Sequence, residues 1–340
     1  MQNIRIHWIQ KHPEKDIWLA NVPSLRLRLG AALTHPNLVI TYSNNLKLKE
    51  VDFVVISKMM YASQGEEVKL NRVIELSKQI SKAGKKIIVD YTDNYLEKTK
   101  EDGSLAVQFV DKINHKFYKD LISIADAVVV SSKKLETYIN EFTNKPTFLI
   151  PDAVDDFPEI PPIIDQPLEY GLFYGSDATF KFLLRELPHI SSQLKKSIEL
   201  YCLVSVFTYQ KYKDSTRSSD AYKNITLDLL PWSLQAVVAK AQKSSFVCLP
   251  GGQETTRKSF VSENRLITAF ALNRPALASP LDSYTAFSPY FLDLSREKYD
   301  LSEEIENYPQ NTIRLAKDIA KSFSKNSIGE LWHDMFKKLL

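Results

Sequence analysis

Five polar side chains precede an apolar stretch that has the pattern of a helix: Lys258, Ser259, Ser262, Asn264 and Arg265. The first N–H groups of a helix and the positive end of its dipole favour an anion, whereas cations placed there oppose the dipole. Two cations and several donors at this point therefore predict a phosphate site. The alternative is a capped amphipathic helix whose basic first turn is solvated, and the spacing leaves this alternative open.

The elements that would position this site follow a regular alternation of short apolar runs and longer amphipathic stretches, which is typical of parallel βαβ units. In the first half, strands are predicted at residues 4–9, 38–41, 53–57, 86–90, 127–131 and 147–150, with helices at 24–33, 65–83, 105–123 and 133–142. In the second half, strands are predicted at residues 170–174, 200–206, 225–227, 246–249 and 276–278, with helices starting near 179 and at 233–242. Open α/β proteins bind nucleotides where parallel strands end, so the phosphate site is expected at that edge of the second sheet.

A change in composition divides the chain. Residues 151–167 contain five prolines, five acidic residues and no cation, a composition that predicts a linker. At 340 residues the chain fits two domains, predicted at 1–150 and 168–310, with a helical stretch over 311–340 that packs back on the N-terminal domain. The predicted fold class is α/β, with two doubly wound Rossmann-like domains facing a cleft.

The composition narrows the class of protein. A hydrophobic content of 44% and a net charge of +3 are typical of a soluble globular protein and not of a dedicated nucleic-acid binder. Cys202 and Cys248 lie in apolar runs and are expected to be reduced core residues, and no Cys/His cluster has the spacing of a metal site. The start of the chain lacks the apolar core of a signal peptide, and no apolar run approaches the ~20 residues that span a bilayer. We expect a cytoplasmic protein, with peripheral association with the inner membrane face as an option.

Five short motifs occur in a fixed order across the proline-rich segment. They are KKIIVDYTD at 85–93, ADAVVVSS at 125–132, IPDAVD at 150–155, LFYG at 172–175 with Lys181 beyond it, and the KS, NR and helix–strand pattern of residues 258–279. In this order they resemble the GT-B glycosyltransferases, and most closely the bacterial group 1 enzymes of surface-polysaccharide assembly. The resemblance implies a nucleotide-sugar donor bound by the second domain and a glycan or lipid-linked glycan acceptor. It implies no other cofactor and no metal, because such enzymes stabilise the leaving phosphate with cations and helix N-termini.

The resemblance also implies a set of donor-binding residues. They are Gly175, Ser176, Lys181, Gly252, Glu254, Lys258, Ser259, Ser262, Asn264 and Arg265. Lys181, Lys258 and Arg265 are the expected phosphate ligands, although Lys181 is equally compatible with a surface helix lysine. The chain departs from the family pattern at two positions: Ser176 stands where an arginine is common, and Thr268 stands where a glutamate contacts the donor ribose. The donor nucleotide and the stereochemistry are therefore not implied.

Three groups of residues are candidates on the acceptor side. Asp93, just beyond the strand at 86–90, is the expected general base or acceptor-orienting acid, with Asp90 as its alternative. His7 and His115 are weaker candidates, because a lone histidine is more often structural. Arg26 is the predicted acceptor ligand, with Arg28 two residues further on; the alternative for both is a solvated helix face with salt bridges.

These features together predict a metal-independent glycosyltransferase. Two rival hypotheses remain at this point. One is a sugar-nucleotide epimerase of similar fold, which would need acidic and histidine side chains around the sugar. The other is a non-catalytic partner subunit of the same fold, which would bind nucleotide weakly or not at all.

Overall fold

The computed structural model describes residues 3–9, 24–42, 46–57, 67–96, 105–161, 168–214, 220–252, 260–296 and 300–340. Within these ranges the chain forms two six-stranded sheets with flanking helices, and all strand pairs are parallel. The predicted α/β fold class with two doubly wound domains is confirmed in this respect. None of the helices in the described ranges is long and apolar enough to cross a membrane.

The first sheet has the strand order β2-β1-β3-β4-β5-β6. Its strands are β1 (Ile4–Ile9), β2 (Leu38–Thr41), β3 (Phe53–Ser57), β4 (Lys86–Tyr91), β5 (Ala127–Val130) and β6 (Thr147–Leu149). The helices between them are α1 (Gly30–Ala32), which continues a π-helical segment at Ser24–Leu29, α2 (Glu67–Lys82), α3 (Leu105–Ile124) and α4 (Lys133–Phe142). Strand β3 is buried at every position; Val54 and Ile56 belong to one apolar cluster, Phe53 and Val55 to another. Both faces of the sheet are therefore covered at β3, which explains why this strand is a nearly continuous apolar run.

The second sheet has the order β12-β11-β10-β7-β8-β9. Its strands are β7 (Tyr170–Gly175), β8 (Ile198–Val204), β9 (Ile225–Pro231), β10 (Phe246–Leu249), β11 (Ala276–Ala278) and β12 (Leu292–Asp293). The helices are α5 (Asp177–Ser192), α6 (Val206–Tyr212), α7 (Leu234–Ala241), α8 (Asn264–Ala271), α9 (Leu301–Glu306) and α10 (Gln310–Lys321), with a 3-10 helix at Asp282–Tyr290. The sequence did not predict α6, α9 or β12, which are all short.

The chain divides into two units that are not continuous in sequence. The first contains Met1–Ala153, Ser259–Ser262 and Ser324–Leu340, and the second contains Val154–Lys258 and Glu263–Phe323. The helical stretch predicted over 311–340 is two helices, α10 and α11 (Lys325–Leu339). The break comes at Ser324, whose hydroxyl accepts a hydrogen bond from the Ser327 amide at 3.2 Å and so caps α11.

Helix α11 is part of the hydrophobic core of the first unit. Trp332 packs edge-on against Trp8, with ring centroids 5.0 Å apart, and Phe336 lies 5.0 Å from Phe53. All four rings are fully buried. Gly329 allows α11 to approach α1 closely, because a Cβ atom there would lie 2.7 Å from the carbonyl oxygen of Ala31.

Substitution of Gly329 with alanine tests this close approach. The added methyl group meets backbone, so α11 must move outward, and this outweighs the gain in helix propensity of about 1 kcal/mol. We expect the free energy of unfolding to fall by about 1–2 kcal/mol, measured by chemical denaturation. Asn326→Ala, at an exposed position of the same helix, serves as control and should change it by less than about 0.5 kcal/mol. A stabilised Gly329→Ala variant would contradict the close packing.

The predicted linker is described only up to residue 161, and that part contains no helix or strand. Its end is held by a buried arginine: Arg274 donates from Nη1 to the Pro161 carbonyl at 2.8 Å and from Nε to the Ala241 carbonyl at 2.8 Å. Asn273 donates to the Ile160 carbonyl at 3.0 Å. Burial lowers the pKa of Arg274 to about 10. Among the described residues the partners of this guanidinium are backbone carbonyls, and these hydrogen bonds fix the segment on the second unit.

Candidate functional site

A buried ion pair lies at the carboxyl end of β4 in the first unit. Nε and Nη2 of Arg28 approach Oδ1 of Asp90 at 2.7 and 2.6 Å, and neither side chain is exposed to solvent. Ser57, at the end of the neighbouring β3, donates to the other Asp90 oxygen at 2.8 Å. Burial alone would lower the pKa of Arg28, but the carboxylates of Asp90 and Asp152 outweigh it and raise this pKa. Arg28 is therefore a fixed cation within the fold.

Asp152 extends this network. Its Oδ1 accepts from Nη1 of Arg28 at 3.1 Å, and its Oδ2 accepts from the Ser262 hydroxyl at 2.7 Å. Arg28 also donates to the Ile150 carbonyl at 2.9 Å. Ser262 was predicted to bind the donor; in the structure its hydroxyl donates to Asp152. The residue that precedes α8 is Glu263, whose side chain makes no capping hydrogen bond.

The alternative of a solvated face for Arg26 and Arg28 is wrong. Arg26 is 5% exposed and Arg28 is 0% exposed. The leucines that alternate with them, Leu25, Leu27 and Leu29, are also buried, because the segment is π-helical and surrounded by the core. Arg26 stays a proposed acceptor ligand.

The second unit brings several of the predicted donor residues to one sheet edge. Strands β7 and β10 are neighbours, and both end there, β7 at Gly175 and β10 just before Gly251 and Gly252. A Cβ at Gly175 would lie 2.2 Å from the Thr179 hydroxyl, and one at Gly252 would lie 2.2 Å from the ring of Phe182. Only glycine therefore fits these two turns as they stand.

Arg265, in the first turn of α8, joins the two strand ends. Its Nε donates to the Tyr174 carbonyl and its Nη1 to the Pro250 carbonyl, both at 3.3 Å. In return the Tyr174 hydroxyl donates to the Arg265 carbonyl at 2.8 Å, which tethers the start of α8. The remaining nitrogen, Nη2, is buried and has no hydrogen-bond partner within the described part of the chain.

The surroundings of this guanidinium are mostly apolar. Burial raises the pKa of the Tyr174 and Tyr284 hydroxyls, and it raises the pKa of the Cys248 thiol to about 12; in each case the positive charge of Arg265 opposes the shift. Arg265 also lies over the Phe173 ring, 5.5 Å from its centroid, and forms no ion pair within the described ranges. A cation in such a low-dielectric environment interacts strongly with an anion brought close to it.

Solved structures of known proteins share this architecture. TarM gives a TM-score of 0.53 at 12% identity over 84% of this chain, which spans about half (54%) of TarM. AviGT4, a glycosyltransferase involved in avilamycin A biosynthesis, gives 0.52 at 9% identity, covering 99% of this chain and 98% of its own. The apo form of WaaB, a lipopolysaccharide outer core galactosyltransferase, gives 0.50 at 9% identity, covering 99% and 100%.

The chain has the GT-B fold. No protein-family model matches the sequence, and a search of curated proteins finds no significant match. The shared topology and the two parallel sheets confirm the fold that the five motifs predicted.

Asp93 is placed in this GT-B fold beyond the end of β4, and it is half-buried. Its Oδ2 accepts a hydrogen bond from the Tyr95 hydroxyl at 2.9 Å. The alternative base, Asp90, is fully buried and its carboxylate is used by Arg28 and Ser57, so it cannot reach a substrate in this structure. His115 contacts the Leu96 carbonyl through Nδ1 at 2.8 Å, which is a structural role.

Lys181 and Ser176 lie at the start of α5 in the second unit. The ammonium of Lys181 pairs with Asp177 one turn earlier, at 3.1 Å, and its side chain is 57% exposed. Ser176 is the residue before the helix, and its carbonyl accepts from the Thr179 hydroxyl at 2.9 Å. In this arrangement Asp177 neutralises part of the charge that Lys181 would offer to an anion.

Three of the predicted donor residues, Glu254, Lys258 and Ser259, lie outside the described residues. Among the residues that are described, a single group of His, Cys, Asp and Glu side chains is close enough to share a metal ion. It consists of His35, Glu330 and His333 and belongs to the first unit.

Sequence reasoning missed the two residues that organise these sites. Asp152 connects Arg28 to Ser262, and Tyr174 exchanges hydrogen bonds with Arg265. One signal was present for Asp152: the IPDAVD motif has an acid where the family pattern has an asparagine, and an acid among apolar residues requires a cation. The tyrosine of LFYG carried no comparable signal.

Proposed function

We propose that this protein is a metal-independent glycosyltransferase that moves a sugar from a nucleotide-activated donor to a glycan or lipid-linked glycan acceptor. The neighbours with TM-scores of 0.50 and above include a glycosyltransferase and a galactosyltransferase by name, which supports this class of reaction. The motif resemblance to group 1 enzymes supports the nucleotide-sugar donor. The acceptor class and peripheral association with a membrane are part of the same proposal.

The observation that carries the proposal is the buried, unpartnered Nη2 of Arg265. A buried donor without a partner is unfavourable by about 1–3 kcal/mol, so the site is better satisfied when an acceptor atom binds there. It lies where β7 and β10 end and where α8 begins, a position at which sheet edge and helix dipole both favour phosphate. A phosphate oxygen of the donor is the acceptor we assign to it.

The other described residues that we propose to bind the donor also come from the ends of β7 and β10 and the starts of the neighbouring helices. Gly175, Ser176, Gly252 and Asn264 border the same strand ends and helix start, and Lys181 lies one turn further into α5. Stabilising the departing phosphate with fixed cations is electrostatic preorganisation and needs no metal. On the acceptor side, Asp93 is the proposed base, because it lies just beyond the end of β4 and its side chain is only half-buried.

The experiment is thermal unfolding of the full chain with UDP, GDP, CMP or dTDP, each with and without EDTA. At a hundred times its Kd, a nucleotide that binds only the folded protein adds about 2.7 kcal/mol, which corresponds to a shift of roughly 5–10 °C for a unit of this size. We expect one nucleotide to shift the transition, EDTA to leave the shift unchanged, and Arg265→Ala to abolish it.

Three outcomes would count against the proposal or a part of it. If no nucleotide shifts the transition, the donor site does not exist and a non-catalytic subunit becomes the better hypothesis. If EDTA removes the shift, the metal-independent part is wrong. A nucleotide that binds while its sugar conjugate is neither hydrolysed nor transferred would identify a binding subunit and not an enzyme.

A further inference from the structure

Three potential metal ligands meet on the outer side of the contact between α11 and the turn that follows α1. His35 lies in that turn, and Glu330 and His333 are three residues apart on α11, so both project from one face of the helix. One ligand atom from each of the three residues lies within 4.8 Å of the others. All three residues belong to the first unit.

We propose that His35, Glu330 and His333 form a binding site for a divalent transition metal, with Zn²⁺ as its probe. Two imidazoles and one carboxylate are a donor set that Zn²⁺ takes in three-ligand sites, with water as the fourth ligand. This inference is independent of the proposed glycosyl transfer, because it concerns the attachment of α11 to the first unit.

The distances support this assignment. Nε2 of His35 lies 3.3 Å from Oε2 of Glu330. Two atoms that share a tetrahedral Zn²⁺ at about 2.0–2.2 Å lie about 3.3–3.6 Å apart, so this pair is already placed for one ion. Glu330 is 66% exposed, which leaves its carboxylate free to adjust and leaves an entry path for the ion.

The elements that carry the three ligands are packed together. Thr34, next to His35, donates to the Lys325 carbonyl at 3.2 Å, which fixes the first turn of α11 against the segment of His35, and the His35 side chain is only 4% exposed. The rings of His35 and His333 stack at 4.0 Å with 15° between their planes. Because the lone pairs of an imidazole lie in the ring plane, one ion cannot bind both rings in this stack, so His333 must turn its ring out of the stack when the metal binds.

One contact sets a limit on affinity. The Asn37 amide donates to Nδ1 of His35 at 3.2 Å. When a metal binds Nε2, the ring proton stays on Nδ1, which can then no longer accept from the Asn37 amide. The loss of this hydrogen bond weakens metal binding by about tenfold. We therefore expect one Zn²⁺ per chain with a Kd in roughly the micromolar range, weaker than a four-cysteine structural site.

The test is calorimetric titration of tag-free, EDTA-stripped full-length protein with Zn²⁺, repeated with Glu330→Gln and His333→Ala. We expect each variant to lose at least about tenfold in affinity, since each removes one of three ligands. His189→Ala is the matched control: this histidine lies in α5, contacts Gln193, and is not one of the ligands, so its variant should bind Zn²⁺ normally.

A second readout uses hydrogen exchange. Zn²⁺ should slow amide exchange in α11 and leave α10, which belongs to the second unit, unchanged. Unchanged Zn²⁺ affinity in Glu330→Gln would overturn the site. A Kd above about 1 mM for the unmodified protein would also overturn it, because three protein ligands on one ion should bind more tightly than that. Since Glu330 is exposed, its variant decides the matter even if His333→Ala disturbs folding.

Discussion

Replacing Arg28 with methionine is expected to lower the free energy of unfolding by about 3–5 kcal/mol, the largest effect on stability that we anticipate. Among the described residues, the substitution leaves the fully buried Asp90 carboxylate with the Ser57 hydroxyl as its one remaining partner, and it removes the hydrogen bond from Arg28 to Asp152. Methionine retains much of the volume that packs against Trp332, so the loss of stability reflects the unpaired charge of Asp90 and not a cavity. The measurement is urea denaturation followed by circular dichroism.

Arg5 provides the control for Arg28. It also forms a two-point contact with an aspartate of the first unit, donating to Asp52 at 2.8 and 3.2 Å, but its side chain is 49% exposed. Because solvent screens such a pair, Arg5→Met should change stability by less than about 1 kcal/mol. Adding Asp90→Asn to Arg28→Met should recover about half of the loss, since no buried charge is then left alone. Equal losses for the two arginine variants would show that burial of the pair is not the cause.

Replacing Arg265 with alanine is expected to reduce kcat/KM for sugar transfer by about 100- to 1,000-fold, the range found when one donor to a developing negative charge is removed. In the function proposed above this guanidinium binds the leaving phosphate, and no second cation among the described residues is fixed to the ends of β7 and β10. Steady-state kinetics with the donor identified by thermal unfolding provide the measurement. Arg265→Lys should recover part of the activity, because it restores the charge but not the planar fork.

Arg185 is the matched control for Arg265. It is an arginine of the same unit, lies over the Phe182 ring and pairs with the adjacent Glu186 on the surface of α5. Arg185→Ala should leave kcat/KM within about twofold. A folded Arg265→Ala enzyme with full activity would remove Arg265 from the site, and the phosphate would then need another ligand.

Strand Phe53–Ser57 was predicted to the residue because it is buried at every position, and a buried parallel strand is an apolar run with polar ends. Ile4–Ile9 and Leu38–Thr41, which contain exposed positions, were predicted to the residue as well. The helix break at Ser324 was not predictable from periodicity, because the apolar pattern continues through it while the chain passes from one unit to the other. The fold class therefore follows from local pattern, and the assignment of segments to units does not.

The sites were predictable only where their residues are close in sequence. Arg265 was found because a cation at the start of an apolar helix is unusual, but its partners, Tyr174 and Pro250, come from other strands. The sequence offered no basis for choosing Arg28 over Arg26 as the partner of Asp90, since Asp90 is 62 residues further along the chain. His35 and His333 are almost 300 residues apart in sequence, and the spacing rules for metal ligands apply only to residues a few positions apart.

The position of α11 has a consequence for biosynthesis. Trp8 and Phe53 emerge from the ribosome early, yet the aromatic rings that cover them, Trp332 and Phe336, are in the last part of the chain. At about 5–20 residues per second, roughly 10–40 s separate the synthesis of Ala153 from that of Leu340. During that interval the part of the first sheet that α11 covers lacks its apolar partner, so the first unit completes its folding only once α11 has been synthesised.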